Sequence, residues 1–155
     1  MFPIFDSLDN FKDVKAPIKE YENDFNLAKE FLSQYDGNQA TFNSYRREIE
    51  KLLLWSWHIA RKSILELRRA EMEDFLKFCQ GPPIEWVGTK KLAHFINHEG
   101  IRIANPEWRP FVAHITKREV RQGKVPDARK YVLAEESFRE VFAILSSFYN
   151  FLIQE

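Results

Sequence analysis

TFNSYRREIEKLLLWSWHIARK, residues 41–62, carries the strongest helical pattern in the chain. Phe42, Tyr45, Ile49, Leu52, Leu53, Ser56, Ile59 and Ala60 recur in steps of three and four. Those steps place them on one stripe of a helix, the stripe a core would bury. Thr41 stands just before the stripe, where its hydroxyl can accept from the unpaired N–H groups of the first turn. Arg46, Arg47 and Lys51 fall outside the stripe, and on this pattern they are expected in water.

Working outward, residues 24–35 bring Phe25, Ala28, Phe31, Leu32 and Tyr35 onto one face of a helix of about three turns. Asp36, Gly37 and Asn38 stop it, because Gly and Asn tolerate the left-handed conformation that ends helices. Residues 63–67 make a short connector. Residues 68–80 predict a third helix with Met72, Phe75, Leu76 and Cys79 inward, and Gly81-Pro82-Pro83 ends it. Residues 135–153 predict another long helix, striped by Phe138, Val141, Phe142, Leu145, Phe148, Tyr149 and Leu152. Glu135 and Glu136 stand in its first turn, where carboxylates suit the positive end of the helix dipole.

The segment between is less regular. Residues 89–98 predict a short helix through Leu92, Phe95 and Ile96. NPEWRPF, residues 105–111, holds two prolines and cannot be regular helix. Residues 112–115 and 130–133 alternate weakly around a polar loop, a pattern that predicts a small β-hairpin. The loop 117–129 is rich in Lys and Arg, and Gly123 and Pro126 mark it as an exposed turn. Residues 1–23 carry scattered Phe, Ile and Leu without a sustained period, and read as an extended lead-in that is either laid on the core or mobile.

The 155 residues suit one domain, residues 24–155, preceded by that lead-in. A hydrophobic share of 45% supports a real core, and 14 Phe give it large flat groups. No apolar run approaches the ~20 residues of a membrane span, and no signal peptide opens the chain. One cysteine, Cys79, makes no internal disulfide, which points to a reducing cytoplasm. The net charge of zero hides segregation. Residues 1–24 carry a balance of −3, whereas residues 102–130 hold eight Lys or Arg against Glu107, Glu119 and Asp127. A local anionic partner is therefore compatible with the neutral total.

Catalytic signatures are missing. There is no Gly-rich phosphate loop and no nucleophile elbow, and most carboxylates are expected on solvated helix faces. His94 and His98 have ligand-like spacing, but HFINH lacks the Glu of the zinc-protease pattern and no third ligand stands at a companion spacing. Neither a metal nor another cofactor is expected. The basic residues are the better lead. Arg46, Arg47 and Lys51 lie on the central helix, and Lys90 and Lys91 open the next segment. Arg109, Lys117, Arg118, Arg121, Lys124, Arg129 and Lys130 follow. Cations at a helix start and on adjoining loops suit a phosphate backbone. The tryptophans, Trp55, Trp57, Trp86 and Trp108, read as core or interface residues rather than base-stacking platforms.

The order TFNSYRREIEKLLLW, LRRAEMEDFLKFCQGPP, IEW, NPEWRPF and KYVLAEESFREVFAILSSFYNFL resembles the N-terminal core-binding domain of tyrosine recombinases, the phage-integrase family. The resemblance covers residues 24–155 and rests on the ordered set, since YRREI and FYNFL alone are ordinary helix text. It implies a mainly α, SAM-like bundle of four to five helices, with an inserted loop or small β-hairpin before the last helix. It also implies double-stranded DNA as partner, gripped between this domain and a separate C-terminal catalytic domain of the same polypeptide. Neighbouring recombinase protomers in a synaptic complex would be further partners.

Carried over residue by residue, the resemblance points to Thr41, Ser44, Tyr45 and Arg46 on the central helix. Around the last helix it points to Lys117, Arg118, Ser137 and Arg139. Ala134 departs from the family's usual Ser or Thr at the start of that helix. The family's catalytic Arg, Lys, His and Tyr set belongs to the other domain, so this chain is not expected to be an enzyme by itself. The rival reading is a helical protein-interaction module without DNA binding, which the acidic lead-in and zero net charge favour.

Overall fold

Helix α2, Gln39–Trp55, runs through the middle of the molecule, and every residue from 48 to 57 is buried. A helix that is apolar only on one stripe has one wet face; α2 has none along this half, because other elements cover it all round. Helix α1, Glu22–Ser33, packs on it, as does helix α5, Glu135–Gln154. Helix α3, Arg69–Gln80, supplies Phe75 and Cys79 to the same core. The computed structural model describes residues 2–154, and they form a mainly helical bundle with a small β-hairpin.

The stop and start signals act as their chemistry requires. Asn38, not Thr41, caps α2: its side-chain oxygen accepts the Thr41 N–H at 3.1 Å. The predicted helix does not run on to Lys62. After Trp55 it widens into one π turn, Ser56–Ala60, closed where Arg61 turns left-handed at φ 55°. Ser56 locks this end, accepting the Lys62 N–H on its carbonyl at 3.0 Å and donating its hydroxyl to Lys62 O at 2.6 Å. The widening turns Ile59 out of the predicted stripe to 49% exposure. Phe142 of α5 is also turned out, at 57%, and Ile144 takes the inward place.

The lead-in is part of the core. Ile4, Phe5 and Phe11 are buried, with the Phe5 ring stacked on Phe25 and the Phe11 edge against Phe42. Main-chain groups of this segment are held by a buried carboxylate: Ile4 and Phe5 N–H donate to Glu50 Oε2 at 2.7 and 3.0 Å. Residues 1–23 therefore do not form a separate unit beside the bundle, at least from Phe2 onward. Nor do all carboxylates lie on solvated faces, for Asp6, Asp24, Glu48 and Glu50 are buried. Each has partners, as a buried charge must.

The strands are not where alternation predicted them. Residues 89–98 are not helical; Phe95–His98 forms β2 of an antiparallel hairpin with β3, Ile101–Ala104. Glu99 at φ 51° and Gly100 at φ 79° make the two-residue turn, the left-handed pair that matches strand twist. The short strands β1, Val87–Gly88, and β4, Phe111–Val112, pair in parallel and clasp the base of this excursion. Trp86, Trp108 and Phe111 are buried around that clasp, which explains the aromatic residues of IEW and NPEWRPF. The hairpin expected between residues 112–115 and 130–133 is absent. In its place the chain carries helix α4, Lys117–Arg121, started by a reciprocal Thr116–Glu119 capping box.

Candidate nucleic-acid interface

A broad cleft of about 1610 Å³ opens between the middle of α2, the base of the hairpin excursion and the segment leading into α5. It is lined by nine Lys or Arg and five Asp or Glu, so its surroundings are net positive although the chain is neutral. Of the residues predicted to bind DNA, the cleft gathers Arg46, Arg47, Lys51, Lys91, Arg109 and Ser137. Lys124, Arg129 and Lys130, from the basic run, line it too. The middle of α2 and the start of α5 thus meet at one concavity, although 90 residues separate Arg47 from Ser137.

Several of these cations are committed to internal partners. Lys51, expected in water, is buried; its ammonium lies 3.2 Å from Glu48 Oε1 and 4.8 Å from the Phe111 ring centre. Arg46 is half-buried and donates from Nη1 to the Asp6 carbonyl at 2.9 Å, and its Nε is buried without a partner. Burial lowers the Arg46 pKa, while Glu50 and Asp6 nearby oppose that shift. Arg47 alone of the three is exposed, with Nε 3.3 Å from Glu48 Oε1. Arg102, which sequence reading missed, forks onto Asp6, with Nη2 2.7 Å from Oδ1 and Nε bonded to Oδ2. Burial raises the Asp6 pKa, but the Arg102 hydrogen bond and the Ser7 N–H more than offset this and hold it below the ordinary carboxylate value.

Other predicted contacts lie elsewhere. Tyr45 is partly buried and does not line the cleft; its ring centre is 4.4 Å from that of Tyr35 and 6.0 Å from that of Phe31. Thr41, Ser44 and Lys90 do not line the cleft, nor do Lys117, Arg118 and Arg121 of α4. Arg139 is exposed on α5 and paired to Glu135 at 2.9 Å, one turn back on the same helix. Asn43 and Thr89 line the cleft without having been singled out. They carry no charge and stand in no pattern, so only the fold reveals them.

Burial pushes the Cys79 thiol up to about 12, and burial together with Glu48 does the same for the Tyr131 phenol. Both stay protonated near neutrality. His94 does not join His98 at a metal. Its Nε2 is 2.8 Å from Glu50 Oε1 and its ring packs on Trp108, while His98 is exposed in the hairpin. Glu50 thereby ties the lead-in and the hairpin base to α2. Among the described residues, no three His, Cys, Asp or Glu side chains converge as a metal site would require.

The two arginines of α2 should behave differently when reversed. Arg46→Glu removes the donor to Asp6 O and adds a carboxylate beside Asp6 and Glu50. It is expected to destabilise the fold by about 1.5–3 kcal/mol in urea unfolding. Arg47→Glu, on an exposed side chain, is expected to stay within about 0.5 kcal/mol. Equal effects would mean that the lead-in does not rest on Arg46.

Comparison with known proteins finds no matching family model, no similar characterised protein and no similar solved structure.

Proposed function

We propose that this chain is the DNA-binding, core-binding domain of a site-specific tyrosine recombinase, positioning duplex DNA for a separate catalytic domain in DNA integration or recombination. The observation that carries this reading is the cationic cleft shared by the middle of α2 and the start of α5. Of the eight residues to which the sequence resemblance points, Arg46 and Ser137 line it. Basic side chains there neutralise phosphates, release counterions and set the register of the duplex. A duplex suits the cleft better than a single strand. Its lining Phe, Trp and Tyr residues, Phe95, Trp108 and Tyr131, are all at least partly buried, so they offer unpaired bases little ring surface on which to stack. The work is positioning; the strand-cutting chemistry belongs to the catalytic domain, and neighbouring protomers complete the synapse.

A salt titration tests this. Affinity of the 155-residue chain for a duplex of about 20 base pairs is expected to fall steeply with salt, with a log–log slope of about −0.9 per phosphate contacted. A flat response between low and moderate salt argues against phosphate contacts.

One observation favours the rival reading, a protein-interaction module. The hairpin presents Ile96, Ile101 and Ile103 to solvent, at 36%, 66% and 37% exposure. These share one face of the two strands, since Ile96 pairs with Ile103 and His98 with Ile101. A protein partner would dock there through apolar contact, and its binding would be nearly insensitive to salt.

A further inference from the structure

We infer that the cleft holds nucleic acid by its phosphates alone and does not read base sequence. This rests on the DNA-binding reading and sharpens it. The argument is which cations remain free. Guanine is read by an unencumbered Arg fork that reaches two acceptors on the base edge at once. Every arginine lining the cleft already has an internal partner. Arg46 donates to Asp6 O and Arg102 forks onto the Asp6 carboxylate. Arg129 forks onto Asp127, with Nε 3.2 Å from Oδ1 and Nη2 3.2 Å from Oδ2. Arg47 reaches Glu48. Arg109 donates from Nη1 to the carbonyls of Pro106 and Trp108, at 3.0 and 2.8 Å.

The lysines divide the other way. Lys51 is buried on Glu48, but Lys91, Lys124 and Lys130 are exposed and make no hydrogen bond or ion pair among the described residues. A lysine ammonium is a point charge on a flexible stem. It suits a phosphate oxygen and carries little directional information about a base. The three come from two segments of the lining: Lys91 from the base of the hairpin excursion, Lys124 and Lys130 from the segment between α4 and α5. A duplex in the cleft meets free charge from both segments. Arg118 and Arg121 make no side-chain hydrogen bond or ion pair among the described residues, but they stand on α4 outside the cleft lining.

The remaining polar lining is sparse in base readers. Ser7, Asn43, Thr89, His114 and Ser137 are there, and an Asn can fork onto adenine, so the test must be able to detect one such contact. A single good bidentate pair discriminates by about 1–3 kcal/mol, or roughly 5- to 150-fold.

The experiment measures the 155-residue chain against a randomised duplex library and a panel of unrelated duplexes of one length, at fixed low salt. The expected result is affinities within about threefold across the panel and no enriched motif. The triple variant Lys91→Gln, Lys124→Gln, Lys130→Gln is expected to bind about 10- to 100-fold more weakly to every duplex alike. Its salt slope should be shallower by about 2.7, three contacts at about 0.9 each. Its circular dichroism and melting should match the parent, since all three side chains are exposed. A preference above about fivefold for one motif overturns the inference while leaving DNA binding standing, as does a triple variant with an unchanged slope. No binding to any duplex overturns the DNA-binding reading and this inference together.

Discussion

Asp24→Ala is expected to cost about 3–5 kcal/mol of folding stability, the largest single-residue effect outside the apolar core. Asp24 lies in the first turn of α1 and is 2% exposed. Its carboxylate accepts from Trp57 Nε1 at 3.0 Å, from the Ser63 hydroxyl at 2.6 Å and from the Ile64 N–H at 2.9 Å. Those donors belong to the π turn and to the connector that leads to α3. One side chain thus ties the start of α1 to the end of the central helix. Removing it strands three buried or partly buried donors, and each hydrogen bond to a charged acceptor is worth roughly 1.5–3 kcal/mol. The sum is not additive, because the connector can relax toward water once released. Asp24→Asn keeps an acceptor oxygen and should cost visibly less. Urea unfolding of the two variants checks this. A cost under about 1 kcal/mol for the alanine variant would mean that the junction is held by packing alone.

Leu52→Ala is expected to cost about 2–5 kcal/mol, as buried leucine truncations do. Leu52 is fully buried on the stretch of α2 that is covered on every side, so the space left behind is walled by helices and cannot collapse cheaply. Val132→Ala is the control: Val132 is 81% exposed and its loss should stay within about 0.5 kcal/mol. If Leu52→Ala costs no more than the control, the core is not centred on α2.

The helices were legible because their signals are local. Residues 24–35, 68–80 and 135–153 were predicted within a few residues of α1, α3 and α5, since a 3.6-residue period and a Gly or Pro stop can be read from neighbours in the chain. The hairpin was not. Phe95–His98 has apolar residues that also fit a helical turn, and only the Glu99-Gly100 turn decides for strands. A two-residue turn led by Glu lacks the Asn or Asp that usually announces it.

The candidate site was legible in half. Lys91, Arg109 and the run to Lys130 were visible as charge, and Ser137 through the family resemblance. What could not be read was which charges are already spent. Arg46 and Lys51 look equivalent to Arg47 on a helical wheel, yet one holds the lead-in and another is buried on Glu48. Their partners Asp6 and Glu48 lie forty residues away in one case and three in the other; the period sets Glu48 beside Lys51 but predicts neither the burial of that pair nor the contact with Asp6.

By itself, then, the sequence determined the helical class, the stops after α1 and α3 and the segregation of positive charge toward the second half. Each follows from near neighbours through propensity, capping and period. The tertiary structure alone decided that the lead-in belongs to the core, that one concavity joins α2 to α5, and that lysines rather than arginines are left free within it. Those outcomes depend on which distant groups come within about 3 Å of one another, and hydrogen bonds and ion pairs at that range are made by packing, not by sequence order.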